Sequence, residues 1–186
     1  MQALVLDILL ATMRIGPVFV IAPPFSQVRV PMPVRVCFVV ALALMMVEHH
    51  GPSGVLTHTT ALAAAASELM LGLLIAFALM AVFAALAYAG RVVDIQAGYG
   101  LAMVIDPATR AQTPLLGSIF TLVGGAVFFA AGGHLALLEL LGQLGQAVPL
   151  GQTHVWNRPH ALMALLSSAL AMGLGLAGGT MLVLLL

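Results

Sequence analysis

Long apolar runs, interrupted by single charges and by Gly or Pro pairs, set the pattern of this chain. The first run, Leu4 to Ala22, carries only Asp7 and Arg14, which lie two turns apart on one helical face, and the Pro23-Pro24 pair ends it. Arg14 reads as a structural charge facing other helices, since no polar cluster beside it in sequence outlines a substrate or ion path. A connection from Phe25 to Pro33, holding Arg29, leads to a second helix expected over Val34 to Val47 and stopped at Glu48-His49-His50-Gly51-Pro52. Its charge-free core from Val36 covers about 18 Å, short of the roughly 30 Å hydrocarbon core of a bilayer. Such a helix either begins earlier and snorkels Arg35 or is buried in protein instead of lipid.

A loop from Gly51 to His58 follows, with Thr57, Thr59 or Thr60 as candidate caps of the next helix. The charge-free run from Leu69 to Gly90 is the clearest membrane-spanning segment. No proline occurs between Thr60 and Asp106, and one helix over that length would reach about 70 Å, more than twice the hydrocarbon core. A break near Gly90, Gly98 or Gly100 is therefore expected. Thr113-Pro114 reads as an N-cap followed by proline at the first helical position, opening an apolar helix over Leu115 to Ala131. Gly132-Gly133-His134 predicts a bend before a second apolar stretch through Glu139 to Val148. Pro149, Gly151 and Asn157 bound a loop, and the charge-free segment from His160 to Leu186 is long enough to span.

Composition raises this pattern to a class. Of 186 residues, 62% are hydrophobic and 6% charged, too little charge to cover a soluble surface. The fold class is an all-α integral membrane protein, with long, broken helices and helical hairpins. Net charge is zero and there is no lysine, which excludes a nucleic-acid surface. Evenly scattered arginines leave the positive-inside rule without a direction. The N-terminus lacks the basic start of a secretory signal and reads as a mature membrane segment. The single Cys37, among apolar neighbours, is expected to be a buried small hydrophobe. Small residues recur at Gly117/Thr121, Gly124/Gly125, Gly142/Gly145, Gly173/Gly175 and Gly178/Gly179, where helix backbones can approach closely, including those of partner subunits.

Candidate chemistry is sparse. Gly51-Pro52-Ser53-Gly54 matches the Gly-x-Ser-Gly pattern of rhomboid intramembrane proteases, but a pattern of small residues in a proline-containing turn, with no paired His, is a weak match. The six His show neither an HExxH pattern nor an i,i+4 pair, so no metal or other cofactor is expected, and His134 is read as a hydrogen-bonded structural residue. The central stretch differs. Arg91, Asp94, Asp106 and Arg110 sit between apolar walls. Arg91 and Asp94, three apart on one helix face, are expected to form a structural charge pair. Gly98 and Gly100 flank Tyr99 and permit unwound backbone, which a membrane tolerates only inside protein or along a water-filled cavity. Leu101, Met103, Val104 and Ile105 form a bulky apolar block, and Asp106-Pro107 breaks the chain. From these residues alone, a movable constriction and a purely structural re-entrant turn are equally supported. A small secondary transporter with Arg91 and Asp94 at a broken-helix site is the alternative from another class, although no internal repeat supports it.

The sequence resembles the FliR family of flagellar export-gate membrane proteins and their relatives in virulence type III secretion. The resemblance begins at Arg14-Ile15-Gly16-Pro17 and Ala22-Pro23-Pro24-Phe25, with Val30-Pro31 to Arg35 following. It is most specific from Ala89 to Gly117 and continues through Val127 to Phe129, Gly132-Gly133-His134 and Val148-Pro149-Leu150-Gly151. Val-Ile-Asp-Pro and Gly-Gly-His lean towards the flagellar branch.

The resemblance implies a single membrane domain over residues 1–186, without catalytic activity or cofactor, in the multi-pass inner membrane part of the flagellar basal body. It implies a helical cone built with FliP and FliQ around a protein-conducting pore, and contact with FliB/FlhB-type and FlhA-type export components, exported flagellar proteins and lipid. Packing on sister subunits would account for the short and overlong helices. The family's plug loop corresponds to residues 97–113, with Gly98, Tyr99, Gly100, Leu101, Met103, Val104, Ile105, Asp106 and Pro107 as pore plug. Family members usually carry Met where Ala97 stands and aromatics around Leu101 and Val104, whereas this block is aliphatic. They also continue beyond the equivalent of Leu186 through another hairpin, so the chain is expected to lack the family's C-terminal part, which helps organise FliQ.

Overall fold

In a computed structural model, residues 2–27, 30–50, 58–98, 104–105, 112–113, 115–151, 160, 163–164, 167 and 171 are described. The order is α1 (Gln2–Ile21), α2 (Met32–His50), α3 (His58–Gln96), a two-residue ladder of β1 (Val104–Ile105) and β2 (Gln112–Thr113), α4 (Leu115–Ala130) and α5 (Gly133–Ala147). The architecture is all-α apart from that short ladder. The described helices include two long and apolar enough to cross a membrane, over Leu4–Ile21 and Ala61–Gln96, and the bent pair α4 and α5 adds a third if taken as one span.

Helix α1 ends as the sequence predicts, before Pro23-Pro24, and tolerates Pro17 inside it. Helix α2 starts earlier than Val34, because proline in a first turn gives up an N–H that would be orphaned anyway. Pro31 O accepts from the N–H groups of Val34 and Arg35 at 3.0 and 3.3 Å, which caps that first turn. The helix also runs past Val47 to His50, since Glu48-His49-His50 is polar but not helix-breaking. Cys37 is exposed, contrary to the expectation of burial. The buried stripe of α2 is Val39, Ala43, Met46 and Val47, and Cys37 lies off it.

Of the three expected break positions in α3, the structure uses Gly98. The helix continues through Gly90 without a break, 39 residues long and thus about 58 Å. It stops at Gly98, whose φ of 77° is the left-handed conformation that glycine adopts freely after a helix end. One stripe of α3 is buried, running through Glu68, Leu71, Ile75, Leu79, Leu86 and Asp94. The opposite face exposes Met70, Phe77, Met80, Tyr88 and Ile95. A helix apolar on all sides, with its outward face uncovered among the described residues, suits lipid or another apolar protein surface.

Helix α1 packs between α2 and α3, and α4 lies along the C-terminal half of α3. The turn after α1 joins these layers. The Phe25 ring lies 4.7 Å from Phe19, 6.1 Å from Phe128 and 5.8 Å from Phe129, centre to centre. An open apolar cavity of about 300 Å³ lies beside this turn, between α1 and α2, lined by Phe19, Phe25, Val30, Val34, Arg35 and Phe38. The predicted bend after α4 is present: Gly132 adopts φ 74° and the helices diverge by 67°.

Candidate functional site: two buried carboxylates on one helix

Glu68 and Asp94 are both nearly inaccessible, 1% and 2% exposed, on the buried stripe of α3. A carboxylate removed from water in an apolar bundle must be satisfied or it destabilises the fold. The chain meets this demand in two different ways.

Glu68 takes an ion pair. Arg14 of α1, itself fully buried, donates from Nε to Glu68 Oε2 and from Nη2 to Oε1, the latter at 2.9 Å. This two-pronged geometry is the strong form of a carboxylate–guanidinium contact. Arg14 Nη1 donates to the carbonyl of Val148 at 2.9 Å, and the Gly151 N–H donates to Glu68 Oε1 at 3.0 Å. The pair thus joins α1, α3 and the turn after α5. Glycine makes the approach possible: a Cβ at Gly72, one turn beyond Glu68, would lie 2.2 Å from the Arg14 carbonyl oxygen. Asp7 is buried on α1 as well.

Asp94 takes backbone. Leu116 N–H donates to both carboxylate oxygens at 3.1 Å, and Gly117 N–H donates to Oδ2 at 3.3 Å. These are the first-turn N–H groups that a capping side chain normally accepts. Position 114, just before the helix, is proline and offers no side-chain acceptor. The acceptor therefore comes from a neighbouring helix, and the positive end of the α4 dipole favours its charge. Glycine again allows the approach: a Cβ at Gly90, one turn before Asp94, would lie 2.6 Å from Gly117 Cα and 2.8 Å from the Leu116 carbonyl oxygen.

This arrangement corrects the expected Arg91–Asp94 pair. Arg91 is exposed, and among the described residues the ion pair formed is Arg14–Glu68. The α4 N-terminus lies closer to the buried carboxylate than a flexible guanidinium on the outer face. At the alternative broken-helix transporter site, Asp94 is engaged by the first turn of α4 and Arg91 is exposed. Gly90 is a contact point, not a hinge.

The plug candidates fall partly inside the description. Gly98 ends α3 and is exposed. Val104 and Ile105 form β1, pairing antiparallel with β2 in the register Val104 to Thr113 and Ile105 to Gln112. Tyr99, Gly100, Leu101, Met103, Asp106 and Pro107 lie outside the described residues, as do Ser53 and the rest of the Gly-x-Ser-Gly match. His134 Nδ1 is buried with no hydrogen-bond partner among the described residues, and its ring lies 5.6 Å from that of Phe129. Among the described residues, no His, Cys, Asp and Glu side chains gather into a metal-binding group. Close-packing glycines are used within the chain at Gly117 and Gly124, while a Cβ at Gly142 would meet nothing among the described residues.

Sequence reasoning missed Glu68 as the partner of Arg14. The available signal was that each is a lone charge in an apolar run, which demands a partner somewhere.

The chain is 30% identical over 87 residues to the flagellar biosynthetic protein FliR of Escherichia coli (strain K12), which covers 47% of this chain and 33% of that protein. It is 30% identical over 132 residues to the flagellar biosynthetic protein FliR of Bacillus subtilis (strain 168), 70% of this chain and 51% of that one. It is 39% identical over 74 residues to the Yop proteins translocation protein T of Yersinia pestis, 40% of this chain and 28% of that one. The matched regions thus span about half the length of these curated relatives or less. The family of bacterial export proteins, family 1, matches residues 5–186, and the chain belongs to that family.

Proposed function

We propose that this protein is a membrane subunit of a flagellar type III protein export gate, helping to form and close the pore through which unfolded flagellar proteins leave the cell. The observation that carries the reading is the family match across residues 5–186. The names of the flagellar and Yop translocation relatives point to the same class of machine. The role is structural and conductive, not enzymatic. FliP and FliQ are the partners in the gate, with FliB/FlhB-type and FlhA-type components beside it in the inner membrane at the basal body. The exposed apolar faces of α2 and α3 offer area for such neighbours, and Met45, Leu62 and Phe77 are each more than half exposed.

Residues 97–113 act as the plug in this reading. The β1–β2 ladder supports it, since it folds the connection between α3 and α4 back on itself. Leu101 to Ile105 supplies the apolar seal, and the glycines supply freedom to move. The test is conductance. Deleting residues 98–106 in an assembled gate is expected to make vesicles leak ions and small solutes. Vesicles that stay tight with the gate assembled contradict the plug.

A further inference from the structure

Asp94 and Gly90 lie on one face of α3, a single turn apart, and both meet the first turn of α4. Between the last turn of α3 and that first turn runs the whole connection that carries β1 and β2. Backbone contact at Gly90–Gly117 and the Asp94 hydrogen bonds therefore close this connection at its base. The α4 start has proline at position 114 and receives its capping acceptor from α3. Without that acceptor, two buried or half-buried N–H groups in the first turn of α4 lose their partner and α4 loses its register against α3.

We infer that Asp94 is the positioning residue of the plug, acting as a capping residue supplied from one helix to another and holding the two roots of the connection together. The inference rests on the plug reading above. Asp94, buried on α3, acts through α4. The interaction has two sides that can be cut separately. Asp94→Ala removes the acceptor. Leu116→Pro removes the donor that serves both carboxylate oxygens, at a first-turn position where proline is tolerated.

The experiment uses the full assembled gate in vesicles, with Cys37 replaced by alanine and cysteines placed at Ile95 and Leu115, exposed positions on either side of the clasp. The measurements are the rate of crosslinking between those cysteines and the ion leak. Asp94→Ala is expected to lower the crosslinking rate about fivefold, within the range that loss of a cap supports, and to raise the leak. Leu116→Pro is expected to act in the same direction but less, because the Gly117 N–H still donates to Asp94, and the double variant is expected to be no worse than Asp94→Ala alone. Asp94→Asn keeps one carbonyl acceptor and is expected to fall between. Unchanged crosslinking in Asp94→Ala, or additive effects in the double variant, overturns the inference. If Asp94→Ala does not assemble, Leu116→Pro carries the test alone, and an unchanged crosslinking rate there overturns the inference too. Deletion of residues 98–106 separates the two readings. If that deletion leaks while Asp94→Ala stays tight, the inference falls and the plug stands. If the deletion stays tight the plug reading falls, and the crosslinking result still decides whether Asp94 holds the two roots together.

Discussion

Glu68 and Asp94 lie on one stripe of one helix, about 39 Å apart at 1.5 Å per residue. Each has a glycine one turn away where another backbone comes into contact. Their partners differ. Glu68 is neutralised by Arg14 and ties three parts of the chain together, whereas Asp94 meets, among the described residues, N–H groups at a helix start. An ion pair between two buried side chains cannot lose one member without stranding the other charge. A carboxylate held by backbone strands only N–H dipoles when it is removed. The first arrangement ties three parts of the chain into one joint, and the second holds the start of one helix against its neighbour.

That contrast is sharpest in the Arg14–Glu68 pair. Arg14→Leu or Glu68→Leu alone is expected to cost about 3–5 kcal/mol, read as loss of assembled complex or a lower midpoint of thermal unfolding. The double variant is expected to be less damaging than either single. If the double is as damaging as the sum of the singles, the two residues do not act as a pair.

The glycines come next. Gly72→Ala places a methyl group 2.2 Å from the Arg14 carbonyl oxygen, so α1 and α3 must separate. The expected cost is about 1–3 kcal/mol by the same unfolding measurement, as for other overpacked contacts. Normal stability in Gly72→Ala would mean that the approach of α1 to α3 is not tight.

The smallest effect belongs to Arg91. Exposed and outside the Asp94 contacts, it is expected to tolerate Arg91→Gln within about 0.5 kcal/mol, with assembly unchanged. A loss as large as that of Asp94→Ala would restore the charge pair between them.

The sequence made the helices and their ends largely legible, because Pro23-Pro24, Gly98 and Gly132-Gly133 are chemical stops that act locally. It did not reveal which side of α3 is buried. That helix is apolar all round, so periodicity has no polar face to point outward. The two carboxylates mark the buried stripe, but each looks, in sequence, like an isolated charge. Glu68 finds its partner 54 residues away and Asp94 finds its donors 22 and 23 away, and no local pattern encodes such distances. The Arg91–Asp94 expectation failed for the same reason: i,i+3 spacing was the only partner visible locally, while the α4 N-terminus was the better one in space. A break is expected near Gly90, Gly98 or Gly100; the helix stops before Gly98, whereas the missing side chain of Gly90 serves contact with Gly117.

The most direct measurement of the account is co-purification from membranes in which the tagged protein is expressed with FliP and FliQ. The account predicts one complex containing all three. Recovery of the protein alone, correctly inserted and with FliP and FliQ present in the same membranes, would contradict it.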